Sequence, residues 1–119
     1  MILADTSVWV DHLRQGDSDL MRALQVSEVL IHPFVIGEIA LGHLRDRATV
    51  LKLLAGLPMI DVVDDPAIWA FIEDFGMPGR GIGYVDAHLL ASVRATPGAR
   101  LWTRDRRLAT LASELGLSI

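Results

Sequence analysis

The chain has 119 residues, 51% of them hydrophobic, no cysteine and a formal charge of −4. That length supports one domain, residues 1–119, with a real core. The composition excludes intrinsic disorder, a disulfide framework and a Cys-ligated zinc site, and no apolar run approaches the ~18 residues of a membrane span.

Taken in chain order, short apolar runs alternate with helical periods. Met1-Ile2-Leu3-Ala4 reads as a buried strand, without the basic leader region of a secretory signal, so a soluble cytoplasmic protein is expected. Ser7 to Arg14 reads as a short helix capped from Asp5-Thr6-Ser7. Asp17-Ser18-Asp19 caps a second helix carrying Leu20, Met21 and Leu24. Val29-Leu30-Ile31 is a second strand. Pro33 fits the first turn of a helix that runs to about Leu44, and Asp46 to Ala55 continues helically. Met59 to Val63 alternates weakly, as a short strand would. Asp64-Asp65-Pro66 opens a helix with Ile68, Trp69, Ile72 and Phe75 on one face. Gly76 to Gly83 is a loop. A helix follows from Tyr84 on Val85, Leu89 and Val93 until Pro97-Gly98 ends it. Leu101-Trp102 is a strand stub, and a last helix carries Leu108, Leu111, Ala112 and Leu115, with Gly116 closing it. Strands alternating with helices predict an α/β fold, three-layer α/β/α around a central parallel sheet, with the strand C-terminal ends gathered at one edge.

Four acids fall where a solvated charge is unexpected. Asp5 directly follows the first strand. Glu38 is the only charged residue from Pro33 to Gly42. Asp86 lies in the first turn of its helix, and Asp105 follows the Leu101-Trp102 strand. Taken singly, Asp5 and Asp105 read as helix caps, Asp86 as a partner for a helix dipole, and Glu38 as half of a salt bridge in the core. Taken together, four carboxylates converging on one edge without matched bases repel unless a cation sits among them. Mg²⁺ or Mn²⁺ takes such oxygen ligands along with water and phosphate oxygens. It would activate water for in-line hydrolysis of a phosphodiester, leaving a 5′-phosphate and a 3′-hydroxyl.

Asp5-Thr6-Ser7 after the first strand, Gly37-Glu38 on the third helix, Tyr84-Val85-Asp86-Ala87 and Thr103-Arg104-Asp105, in that order, resemble the PIN-domain nucleases. Among these the chain looks most like the VapC toxins of prokaryotic toxin–antitoxin pairs, over nearly its whole length. The resemblance implies a Mg²⁺-dependent ribonuclease acting on RNA, silenced by a VapB-type antitoxin and usually a homodimer. Asp5 and Asp86 match the principal metal ligands, Glu38 and Asp105 complete the acidic tetrad, and Thr6 and Thr103 match the hydroxyls that orient those carboxylates. One departure is His32-Pro33, where many relatives carry Ser or Thr; the expected cost is a lost hydroxyl cap. A PIN nuclease of RNA processing is the alternative reading. A phospho-acceptor signalling domain is a weaker one, since Thr6 follows Asp5 where a second acid is needed and the only Lys, Lys52, is mid-helix.

The remaining signals are plainer. His12, His32, His43 and His88 share no motif, and His88 lies about 200° round the helix from Asp86, a poor chelating angle. Gly79, Gly81 and Gly83 fail the dinucleotide spacing and read as a flexible loop beside Asp86. Arg104, Arg106 and Arg107 flank Asp105 and Arg80 lies in the loop, so all four are candidate RNA contacts. Trp9, Trp69 and Trp102 read as core packing. A mean hydropathy of +0.38 is high for a small monomer and predicts apolar surface kept for a partner, with Leu20, Met21 and Leu24 as candidates. The acidic balance, taken alone, argues against nucleic acid. Two divalent ions among the four acids would bring the formal charge to about zero.

Overall fold

A computed structural model describes residues 1–119. The first strand, β1 (Ile2–Ala4), is followed by α1 (Thr6–Gln15) and α2 (Ser18–Gln25), which lead to β2 (Val29–Leu30). Four helices come next: α3 (Pro33–Ala40), α4 (Arg47–Ala55), α5 (Asp65–Asp74) and α6 (Tyr84–Ala95). The chain ends with β3 (Arg100–Trp102) and α7 (Arg106–Glu114). All three strands are parallel, in the order β2-β1-β3. Ile2 faces Val29 on one side and Arg100 on the other, and Leu3 faces Leu30 and Leu101. Single parallel bridges widen the sheet, Ile31 with Met59 and Leu101 with Ser118.

This order matters for the site. The chain leaves β1 for β2 on one side and later returns to β3 on the other, so β1 is the switch point of the sheet. A crevice opens at the C-terminal end of such a strand, because the connections diverge there. Asp5 is the residue that follows β1. Below it, one core of 26 buried residues includes Leu3, Val8, Leu20, Val29, Leu89, Leu101 and Leu108. Each side chain of that kind contributes about 1.5–3 kcal/mol of burial, which holds the junctions above it in register.

The helix starts follow local chemistry. The side chains of Asp5, Asp17, Asp64 and Asp105 each accept a backbone N–H of the helix they precede, satisfying donors the helix leaves free. Three expectations are corrected. The third helix stops at Ala40 instead of about Leu44; the Arg47 guanidinium bonds the freed carbonyls of Ala40 (2.5 Å) and Gly42 (3.3 Å). The segment 59–63 makes one bridge, not a strand, since Pro58 lacks an N–H and the Asp61 carbonyl is taken by Ser92 Oγ at 2.7 Å. Trp69 is 56% exposed, because α5 turns Ile68 and Phe71 inward and the next position lies about 100° round the helix. Trp9 is buried and Trp102 half-buried. Leu20 belongs to the core, leaving Met21 exposed on that helix. No helix is long and apolar enough to cross a membrane.

Candidate active site

Asp5 is 4% exposed and tightly held. Its Oδ1 accepts from Ser7 Oγ at 2.5 Å and from the Val8 amide at 3.2 Å. Its Oδ2 accepts from Thr103 Oγ1. Thr103 in turn accepts the Asp105 amide at 3.0 Å, and Ser7 Oγ accepts the Arg104 amide at 3.1 Å. Two hydroxyls therefore tie the end of β1 to the turn after β3 and fix the orientation of one carboxylate. Hydrogen bonds to a carboxylate are among the stronger ones, at about 1.5–3 kcal/mol each.

Asp105 caps α7 through Oδ1, which accepts the Leu108 amide at 3.0 Å; its other oxygen has no hydrogen-bond partner, and the residue is exposed. Glu38 on α3 accepts from Thr6 Oγ1 at 2.6 Å. It is exposed, which corrects the expectation of a buried charge in an apolar helix. Val35 and Ile39 form the inward face of α3, and Glu38 points off it into an open cleft of about 730 Å³ between α1, α3 and α4.

Asp86 is half-buried in the first turn of α6 and has no hydrogen-bond donor. Its pKa is pushed up from 3.8 to about 6, first by burial and then by the charges of Asp5, Asp105 and Glu38. That dependence places the other three carboxylates each within electrostatic reach of Asp86. None of the four carboxylates forms an ion pair: the four ion pairs of the fold are Arg22 with Asp19, Arg80 with Glu114, and Arg104 with Asp11 and Asp17, although Arg14 and Arg45 line the cleft beside Glu38.

The donor set fits a hard divalent cation, being all oxygen and negatively charged without compensation. No three of these side chains close into a ready-made cage. The mutual repulsion and the open spacing are consistent, because Coulomb forces act beyond contact distance. Such an open arrangement suits an ion that keeps several of its own waters, as Mg²⁺ does.

The PIN domain model matches residues 2–114. The chain is also 46% identical over 119 residues, all of it and 96% of the relative, to Ribonuclease VapC32 of Mycobacterium tuberculosis (strain CDC 1551 / Oshkosh). It matches the protein of the same name from strain ATCC 25618 / H37Rv to the same extent. This chain belongs to the VapC family of PIN-domain proteins. Members of the PIN ribonuclease family are generally dependent on divalent metal.

Two features of this VapC-family chain escaped the sequence reading. Ser7 holds Asp5 as firmly as Thr103 does; its signal was present, a hydroxyl two residues after the carboxylate. His32 does not forfeit the cap of α3, because its own Nδ1 accepts the Phe34 amide at 3.0 Å. That bond makes Nδ1 the acceptor nitrogen, and burial with no other partner holds the ring neutral, its pKa lowered to about 4 by burial and then by His88. Though they share no motif, His32 and His88 lie together under the start of α6, ring centroids 6.5 Å apart. Both are fully buried and each has a nitrogen without a partner. They are packing residues, poorly placed for acid–base work on a substrate.

Proposed function

We propose that this chain is a divalent-metal-dependent endoribonuclease and the toxin of a VapBC-type toxin–antitoxin pair. The observation that carries the reading is the charge environment of Asp86, where three further carboxylates act on a half-buried acid and none of the four is held in an ion pair. A structural cluster would be paired internally; an unpaired one is a receptor for positive charge. The identity with proteins named Ribonuclease VapC32 supports RNA as the substrate class, and the VapC designation supports the toxin role.

Asp5, Glu38, Asp86 and Asp105 would hold Mg²⁺, with Mn²⁺ as the other hard ion of suitable size. When bound, the ion supplies an activated water and neutralises charge on the phosphodiester during in-line displacement. The protein's own part is positioning. Ser7, Val8 and Thr103 keep the Asp5 oxygens fixed, so little reorganisation is needed when an ion and a phosphate arrive. Thr6 aims the Glu38 carboxylate. Asp105 uses one oxygen to cap α7 and keeps the other available. Asp86 holds a proton below about pH 6 and gives it up above, so the site reaches its full negative charge near neutrality.

A VapB-type antitoxin and a second copy of the chain are the expected protein partners, with residues 1–119 forming one domain. Apolar side chains left in solvent support such contacts, among them Leu41 (91% exposed) and Leu53 (68%). The reading is tested by incubating RNA with the purified chain and Mg²⁺ and mapping the new ends. Cleavage with 5′-phosphate and 3′-hydroxyl termini is expected. A 2′,3′-cyclic phosphate would point to a metal-free mechanism and overturn it.

A further inference from the structure

Four arginines flank the acidic cluster in sequence, and the fold gives them different lives. Arg104 is clamped between Asp11 and Asp17 with its guanidinium over the Trp102 ring at 5.9 Å. Arg80 is held on Glu114 by two bonds of 2.8 and 3.0 Å. Arg106 is exposed and touches no acid. Arg107 is exposed as well and has no acidic partner, but its guanidinium and Cδ lie so close over Gly81 that a Cβ there would overlap them. Gly81 has φ +75°, a conformation that favours glycine, and any side chain there would have to push the Arg107 end aside.

We propose that Arg107, seated on Gly81, holds an RNA phosphate beside the bond being cut. This rests on the ribonuclease reading above. The loop that carries Gly81 runs straight into α6, and a Cβ on Gly83 would stand 3.5 Å from Asp86 Oδ2. Two residues of backbone span at most about 7 Å, so Arg107 and Asp86 act on neighbouring stretches of one bound strand. The amides of Gly79, Gly81, Ile82 and Gly83 find no acceptor within the protein, which leaves donors free along the loop that Arg107 covers. Arg80 ties the loop to the far end of α7, and Arg107 lies over it from the near end. An acidic site repels the RNA backbone, and an uncompensated guanidinium at its rim supplies the opposing charge in a fork that matches phosphate. Arg80 and Arg104, already neutralised by carboxylates, lack that free charge.

The test compares wild type, Arg107→Gln and Arg107→Lys, with Arg22→Gln as a charge-matched control far from the loop. Steady-state cleavage of a mixed-sequence single-stranded RNA gives kcat and KM. Salt titrations of its binding are read in an Asp86→Asn background. Arg107→Gln should raise KM about tenfold with kcat within about twofold, the loss of one charged hydrogen bond at an exposed site. It should flatten log K against log salt by about 0.7, one single-strand phosphate contact, with Tm unchanged; Arg107→Lys should recover part of both. An unchanged KM and salt slope in Arg107→Gln, or equal effects from Arg22→Gln, would overturn the assignment. Wild-type protein that neither binds nor cleaves the RNA would overturn the ribonuclease reading instead.

Discussion

Replacing Asp86 by Asn should make the protein more stable at neutral pH and abolish its activity. Asp86 accepts no hydrogen bond, so the amide loses no partner, while the repulsion from Asp5, Asp105 and Glu38 disappears. An acid whose pKa rises from 3.8 in the unfolded chain to about 6 in the fold costs about 3 kcal/mol when ionised, at 1.36 kcal/mol per pH unit. Asp86 is partly open to solvent, which screens that figure to about 1–2 kcal/mol. The sign follows from proton uptake: between pH 3.8 and about 6 the folded state holds the proton more tightly than the unfolded state. The penalty is therefore absent below pH 3.8, grows through that window and is complete above about pH 6. Thermal melts of wild type and Asp86→Asn, in chelator and low salt, should give equal Tm near pH 3.5. By pH 8 the variant should melt several degrees higher, on the scale of about 3–6 °C per kcal/mol for a domain this size. Millimolar Mg²⁺ should raise the wild-type Tm and shrink the gap. A variant no more stable than wild type at pH 8, or a gap that ignores pH, would refute the crowding of the four carboxylates.

Other substitutions probe the supports around the site. Ser7→Ala removes one of three donors to the Asp5 carboxylate together with the acceptor of the Arg104 amide; RNA cleavage should fall at least tenfold and denaturant melts should show a loss of about 1–3 kcal/mol. Thr103→Val, which breaks the link from Asp5 Oδ2 to the Asp105 amide, should behave alike. His32 has its pKa lowered to about 4 against 6.5 unfolded, so its stabilising effect is full above pH 6.5 and is lost as pH falls from 6.5 towards 4. His32→Asn, which keeps a capping side chain, should flatten that acid limb of stability in a pH series of melts.

Much of the site was legible because its parts sit at junctions that local chemistry marks. Asp5 and Asp105 each begin a helix directly after a strand, and parallel βα connectivity sends such junctions to one edge, while Asp86 lies in the first turn of α6 after the glycine loop. The elements themselves followed from period and capping, with α1, α2, α5 and α7 each starting at an Asp that the sequence already marked. What escaped was information that depends on which way a side chain faces. Glu38 has only apolar sequence neighbours, yet an eight-residue helix turns Val35 and Ile39 inward and leaves Glu38 in the cleft. Trp69 was misplaced for the same reason, one position off the buried stripe. The fates of the arginines were invisible because their partners are remote in sequence: Arg104 meets Asp11 and Asp17 across 93 and 87 residues, and Arg80 meets Glu114 across 34. The apolar excess resolves into two parts, a continuous core and a scatter of exposed side chains such as Leu41 and Leu53.

The claim that stands above the rest is that the four carboxylates form a divalent-ion site that cuts RNA. It is tested most directly by measuring RNA cleavage by wild type and Asp86→Asn, each with Mg²⁺ and with excess EDTA. Cleavage by wild type in Mg²⁺ alone, with both EDTA and the Asn substitution reducing it to background, is the predicted result. Full activity in EDTA, or from the Asn variant, would contradict it.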